Sequence, residues 1–75
     1  MSEPTPRQLE VLVAWIECGG SVGAAKRLRM TPIRVRQVLA ELHVVFGTKT
    51  SAQTFAIAVR LEFIDLSRLN LPEAA

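Results

Sequence analysis

Arg34, Arg36 and Gln37 are the side chains whose types and spacing suit recognition of another molecule. A guanidinium presents a fork of donors that matches a phosphate or the O6/N7 edge of guanine. A glutamine amide offers the donor and acceptor that match adenine. Around them stand Lys26, Arg27, Arg29 and Lys49, so that between residues 26 and 49 six basic side chains face a single acid, Glu41. The remaining residues carry three basic and six acidic side chains, and a formal net charge of only +2 conceals one basic block between acidic ends. Such a block suits the phosphates of a nucleic acid, with Lys26, Arg27, Arg29 and Lys49 as backbone contacts. Taken singly, each residue also reads as ordinary solvated charge; the clustering favours a binding role.

Other chemistries lack their residues. The chain has one histidine, His43, one cysteine, Cys18, and no tyrosine. No acid and base are paired at useful spacing, so an enzyme is not expected. No Cys/His cluster suits a metal, one cysteine allows no intramolecular disulfide, and no cofactor is expected. Cys18 reads as a small apolar residue near a helix end, His43 as an exposed side chain, and Trp15 as core. No apolar run approaches the roughly 18 residues of a membrane span. Met1-Ser2-Glu3-Pro4 does not read as a signal peptide, so no membrane association and a cytoplasmic location are expected.

The elements that must position these residues are helices. Thr5-Pro6-Arg7-Gln8 combines an N-cap, a proline at the first helical position and a glutamine three residues after the cap. Leu9, Leu12, Val13 and Ile16 then recur at helical spacing up to Gly19-Gly20, predicting a helix over about 6–18. Ser21 can cap a short helix over 22–28, whose Gly23, Ala24 and Ala25 permit close approach to a neighbour. Thr31-Pro32 repeats the start signal for a helix over 32–46 with Val35, Val38, Leu39, Leu42 and Phe46 on one stripe. Gly47 ends it. Ser51 can cap a fourth helix over 52–66, and Asn70 and Pro72 mark a tail over 67–75. The expected fold is all-α, a four-helix helix-turn-helix domain spanning 1–75. A helical wheel of the third helix puts Arg34 and Arg36 on either side of Gln37, opposite the apolar stripe, with Thr31 at the helix start near a phosphate.

From Thr5 to about Ile64 the sequence resembles the LuxR/GerE-type DNA-binding domain. That family opens with Thr-Pro-Arg-Glu and Glu-Val-Leu, against Thr5-Pro6-Arg7-Gln8 and Glu10-Val11-Leu12 here. Glu17, Ala25, Leu28, Thr31, Val35, Leu42, Phe46, Gly47 and Gln53 continue the register without gaps. The resemblance implies a transcriptional regulator whose third helix enters the major groove of double-stranded DNA and whose fourth helix forms a two-fold dimer. Several positions depart from the family pattern. Arg34-Val35-Arg36 stands for Thr-Val-Lys, Val38 for a histidine, Val45 for a lysine, Arg29 for a turn glycine and Ser51 for a basic residue.

Hydrophobic residues make up 49% of the 75 positions, much for a chain that buries only about 60% of its unfolded surface. The excess falls on Leu9, Val13, Val44 and Val45, and on two faces of the fourth helix. One face is Phe55, Val59, Phe63 and Leu66; the other is Ile57, Leu61 and Ile64. A small domain can bury only one of them, so Ile57, Leu61 and Ile64 are the expected homodimer or partner interface. The alternative is that these three form one side of a four-helix core. At the level of function, the alternative to a DNA-binding homodimer is a helix-turn-helix scaffold that serves as a protein-binding accessory or inhibitory module.

Overall fold

The computed structural model describes residues 3–71 of the chain. They form α1 (Pro6–Cys18), α2 (Ser21–Leu28), α3 (Pro32–Phe46) and α4 (Ser51–Arg60), followed by a 3₁₀ turn at Leu66–Arg68. No strand occurs among the described residues, so the fold is all-α. Met1-Ser2 and positions 72–75, including Pro72 of the expected tail, lie outside the described residues.

Threonines start three of the helices. The Thr5 hydroxyl accepts from the Gln8 N–H at 3.1 Å while the Gln8 side chain accepts from the Thr5 N–H at 2.9 Å, a complete capping box. Thr31 caps α3 through the Arg34 N–H at 3.1 Å. The cap of α4 is Thr50 and not the expected Ser51, because Thr50 has the extended backbone that aims its hydroxyl at the Gln53 N–H. Ser21 likewise is the first residue of α2 and not its cap; Gly20 holds that position, with no side-chain cap bond.

Helices α1, α2 and α3 end on one geometry, which α4 repeats one residue later. The residue two beyond the last helical one donates its N–H to the carbonyl five positions back, as in Gly20 to Trp15, Met30 to Ala25 and Thr48 to His43. The residue between must be left-handed, and Gly19 (φ 74°) and Gly47 (φ 67°) supply this freely. After α2 the left-handed residue is Arg29 (φ 57°), a side-chain-bearing residue in a position that glycine favours. After α4 it is Glu62 (φ 65°), with the Phe63 N–H donating to the Ala58 carbonyl at 2.9 Å. This turn overturns the expectation of a helix running to residue 66.

The core gathers Val11, Leu12 and Ala14 of α1, Ala24 and Ala25 of α2, and Val35, Val38, Leu39 and Leu42 of α3, closed by Ala58 of α4. Close approach of α1 and α2 depends on Gly23, where a Cβ would lie 2.8 Å from the Cys18 Cβ. The buried hydroxyl of Thr54 is satisfied by the Thr50 carbonyl and the Thr48 hydroxyl. Beyond α4 the chain folds back across α1 as a strap. Ile64, only 6% exposed, enters the core, and Leu69 packs against it. The Phe63 ring meets Phe46 edge to face, and the Asn70 N–H donates to the Glu17 carboxylate at 2.8 Å.

The strap corrects the sequence reading of the interface. Ile64 is a core residue, so Ile57, Leu61 and Ile64 do not share an exposed face. The left-handed turn at Glu62 rotates the chain out of the helical register that would align them. Phe55 and Val59 pack partly buried against the core, whereas Phe63 and Leu66 of the same expected stripe remain exposed. Leu9 and Val13 are half-buried, in an open groove of about 620 Å³ whose other wall is Phe63, Ile64 and Leu69. No helix among the described residues is long and apolar enough to cross a membrane.

Candidate nucleic-acid interface

The three-residue connection Arg29–Thr31 joins α2 to α3, and the basic side chains collect around it. Lys26 and Arg27 occupy the last turn of α2, where positive charge also favours the carbonyl end of the helix. Arg29 is exposed in the turn, and its left-handed backbone sets the path from α2 into α3. Thr31 is committed to capping, which orders the leading turn of α3 and leaves its hydroxyl proton free to donate.

Arg34, Arg36 and Gln37 are all exposed on the first half of α3. The buried stripe of Val35, Val38, Leu39 and Leu42 fixes the rotation of the helix about its axis. Gln37 therefore lies near the centre of the outward face, with Arg36 on one flank and Arg34 on the other. Arg34 lies 3.8 Å from the Glu41 carboxylate, and Glu41 also accepts from the Gln8 amide at 3.2 Å. Both partners of the Arg34–Glu41 pair are about half exposed, so the pair is loose and Arg34 can turn to a competing anion.

Arg27 is differently placed. Its guanidinium pairs with Glu17, whose side chain is only 10% exposed and whose second oxygen accepts the Asn70 N–H. The Asn70 N–H and then the Arg27 hydrogen bond hold the Glu17 carboxyl below the usual glutamate range. The same hydrogen bond raises the Arg27 guanidinium above its ordinary value. Arg27 thus fastens α1, α2 and the strap together. Lys26, Arg29, Arg36 and Lys49 make no ion pair among the described residues.

Lys49 is exposed in the α3–α4 loop, which is braced by its N–H donating to the Gln53 amide at 3.1 Å. Gln53, Ala56 and Ile57 line a shallow recess beside it, so Lys49 and Ile57 share one side of the molecule. Leu61, 57% exposed, follows on the outward side of α4. His43, expected to be exposed, is half-buried with its Nε2 3.2 Å from the Ser51 hydroxyl. Trp15 and Cys18 are half-buried.

Ile33 and Ala40, which residue type alone does not single out, are exposed and continue the line of Gln37 along the outward face of α3. The signal was present in the helical wheel, where both positions lie opposite the buried stripe. An aliphatic residue among arginines does not announce itself as functional until its exposure is known.

Fold and surface together define, among the described residues, a small all-helical fold of four α-helices with an exposed basic region about the α2–α3 connection. Comparison with protein-family models, with curated proteins and with solved structures finds no match to this chain. The resemblance to LuxR/GerE domains therefore stands on the residues quoted for it.

Proposed function

We propose that the chain is a sequence-specific DNA-binding regulator of LuxR/GerE type, with α2 and α3 as a helix-turn-helix and α3 as the recognition helix. One observation carries this reading. Arg36 and Gln37 stand exposed on the outward face of α3, with Lys26 and Arg29 before its leading turn, Lys49 in the loop beyond its far end, and no internal ion pair for any of these cations among the described residues. Bringing a phosphodiester backbone against them releases counterions and breaks no internal pair. Arg34 exchanges a loose carboxylate for a phosphate or a guanine edge, while Arg27 serves first as a structural tie.

Two copies bound to a pseudo-palindromic site would place their α3 helices about one DNA turn apart. Their contact falls on Ile57 of α4 and Leu61 at its end, without Ile64. This surface is small, so DNA supplies much of the drive to pair, and the homodimer forms most readily on the duplex.

Salt-titrated binding of the full chain to duplex DNA tests the proposal, with Arg34→Ala/Arg36→Ala as the comparison. Wild type should bind with affinity that falls steeply with salt, and the double variant should bind at least about tenfold more weakly. Equal binding at moderate salt would overturn these roles. A second reading, a module that docks on another protein, is favoured by the strap groove, which Leu9, Val13 and the exposed Phe63 line, and by the exposed Leu61 and Leu66 near it in the chain. Absence of DNA binding at low salt, with capture of a heterologous regulator, would select it.

A further inference from the structure

Ile33 is a large aliphatic side chain, 65% exposed, on the first turn of α3 in the middle of the basic region. It makes no part of the core, whose α3 members are Val35, Val38, Leu39 and Leu42. At 100° per residue the buried stripe centres opposite Ile33, Gln37 and Ala40, so these three form the leading half of the outward ridge of α3, which the exposed Val44 continues towards the far end of the helix. Arg36 lies on one flank of the ridge, and Arg34 with Glu41 on the other. The ridge thus reads aliphatic, amide, methyl, between two arginines.

Resting on the DNA-binding reading, we propose that Ile33 is a specificity-determining residue that selects thymine by contact with its 5-methyl group, next to an adenine read by Gln37. Charge complementarity supplies the occupant. Lys26 and Arg29 before the leading turn of α3, and Arg36 on the flank of the ridge, set unpaired positive charge beside Ile33 and draw a polyanion to it. In the major groove the thymine methyl is the one apolar feature a base edge presents. An exposed isoleucine gains there by removing its own surface and the methyl from water, and it leaves no polar group unpaired. A guanine or cytosine edge at the same place would set an unsatisfied donor or acceptor against the aliphatic surface, which supplies rejection as well as preference. The chemistry predicted for the centre of each half-site is therefore an A·T-rich step, flanked by positions that the arginines contact.

Replacement of single thymines by uracil, which deletes the methyl and keeps the base pair, tests this. A randomised duplex pool is first selected on the full chain at low salt, and an enriched duplex is resynthesised with deoxyuridine at one thymine at a time. Wild type should lose affinity at one thymine per half-site on the order of 4-fold, the transfer value of one methyl group. Ile33→Ala should bind the thymine duplex more weakly than wild type, show no thymine-to-uracil difference at that position, and keep the wild-type salt slope and melting temperature. The inference is overturned if no thymine is sensitive, or if Ile33→Ala retains the full difference. Those results leave salt-dependent DNA binding standing. Failure of the pool to bind at all at low salt overturns the DNA-binding reading, and this inference with it.

Discussion

A carboxylate that accepts from a backbone N–H and a guanidinium at once is bound to the folded state through its charge. Glu17 is such a group, and its lowered folded-state value makes stability depend on pH. Its contribution is fully present above the ordinary glutamate range, and is lost as pH falls through the depressed folded value. Asp65, lowered by the Ser67 hydroxyl and N–H, acts in the same direction. Glu17→Gln should therefore destabilise the protein near neutral pH and flatten the acid limb of its stability curve, as followed by thermal melts from pH 7 to pH 3. An unchanged acid limb would show that the Glu17–Asn70 contact holds nothing together. Arg29 offers a different separation. Its left-handed backbone costs a side-chain-bearing residue about 1 kcal/mol or more, and glycine escapes that cost. Arg29→Gly should leave stability unchanged or raise it by up to about 1 kcal/mol, while lowering the salt slope of DNA binding by about 1. Weaker DNA binding with a higher melting temperature is the outcome expected if this arginine contacts phosphate.

The elements of this protein are short, and their ends decide where the side chains point. Two starts, those of α1 and α3, were legible because threonine and proline act on the next three residues of the chain, a range within which sequence alone is informative. Two ends, at Gly19 and Gly47, were legible for the same reason. The end of α4 was not, since Glu62 carries no local preference for a left-handed backbone; its conformation is imposed by the docking of Ile64 and Leu69 on the core. Ile64 gains enough by entering the core to offset the strain at Glu62. Ile64→Ala should accordingly cost about 2–4 kcal/mol, read as a lowered denaturation midpoint. A residue in an exposed dimer face would instead change monomer stability by less than about 0.5 kcal/mol. Gly23→Ala belongs to the same scale. With a Cβ 2.8 Å from Cys18, α1 and α2 must separate, and a loss of about 1–3 kcal/mol is expected.

At the scale of the whole molecule, the strap takes up much of the apolar excess that composition assigned to an interface. It part-covers Leu9 and Val13 and buries Ile64, leaving Ile57 on α4, Leu61 at its end, Phe63 and Leu66 on the strap's own outer side, and Val44, 81% exposed, on α3. A contact through Ile57 and Leu61 alone is too small to hold two free copies together at low concentration. Sizing of the free chain should give a monomer at micromolar concentration, with two copies assembling on a duplex that carries two half-sites one turn apart. Leu61→Glu should abolish the cooperativity of that assembly, leave binding to a single half-site intact, and shift the melting temperature little. Cooperative assembly undiminished by Leu61→Glu would place the contact elsewhere.

The sequence by itself determined the all-helical class, the starts of α1 and α3, the break between α2 and α3, and the basic block around that break. Each rests on a cap, a period or a charge count that acts within a few residues. Tertiary structure decided which cations remain unpaired, because the Arg27–Glu17–Asn70 tie joins residues up to 53 positions apart. It also decided where α4 stops and that Ile64 belongs inside. Burial is a property of the assembled core, and a helical wheel drawn on one segment cannot see the turn that carries the chain off that wheel.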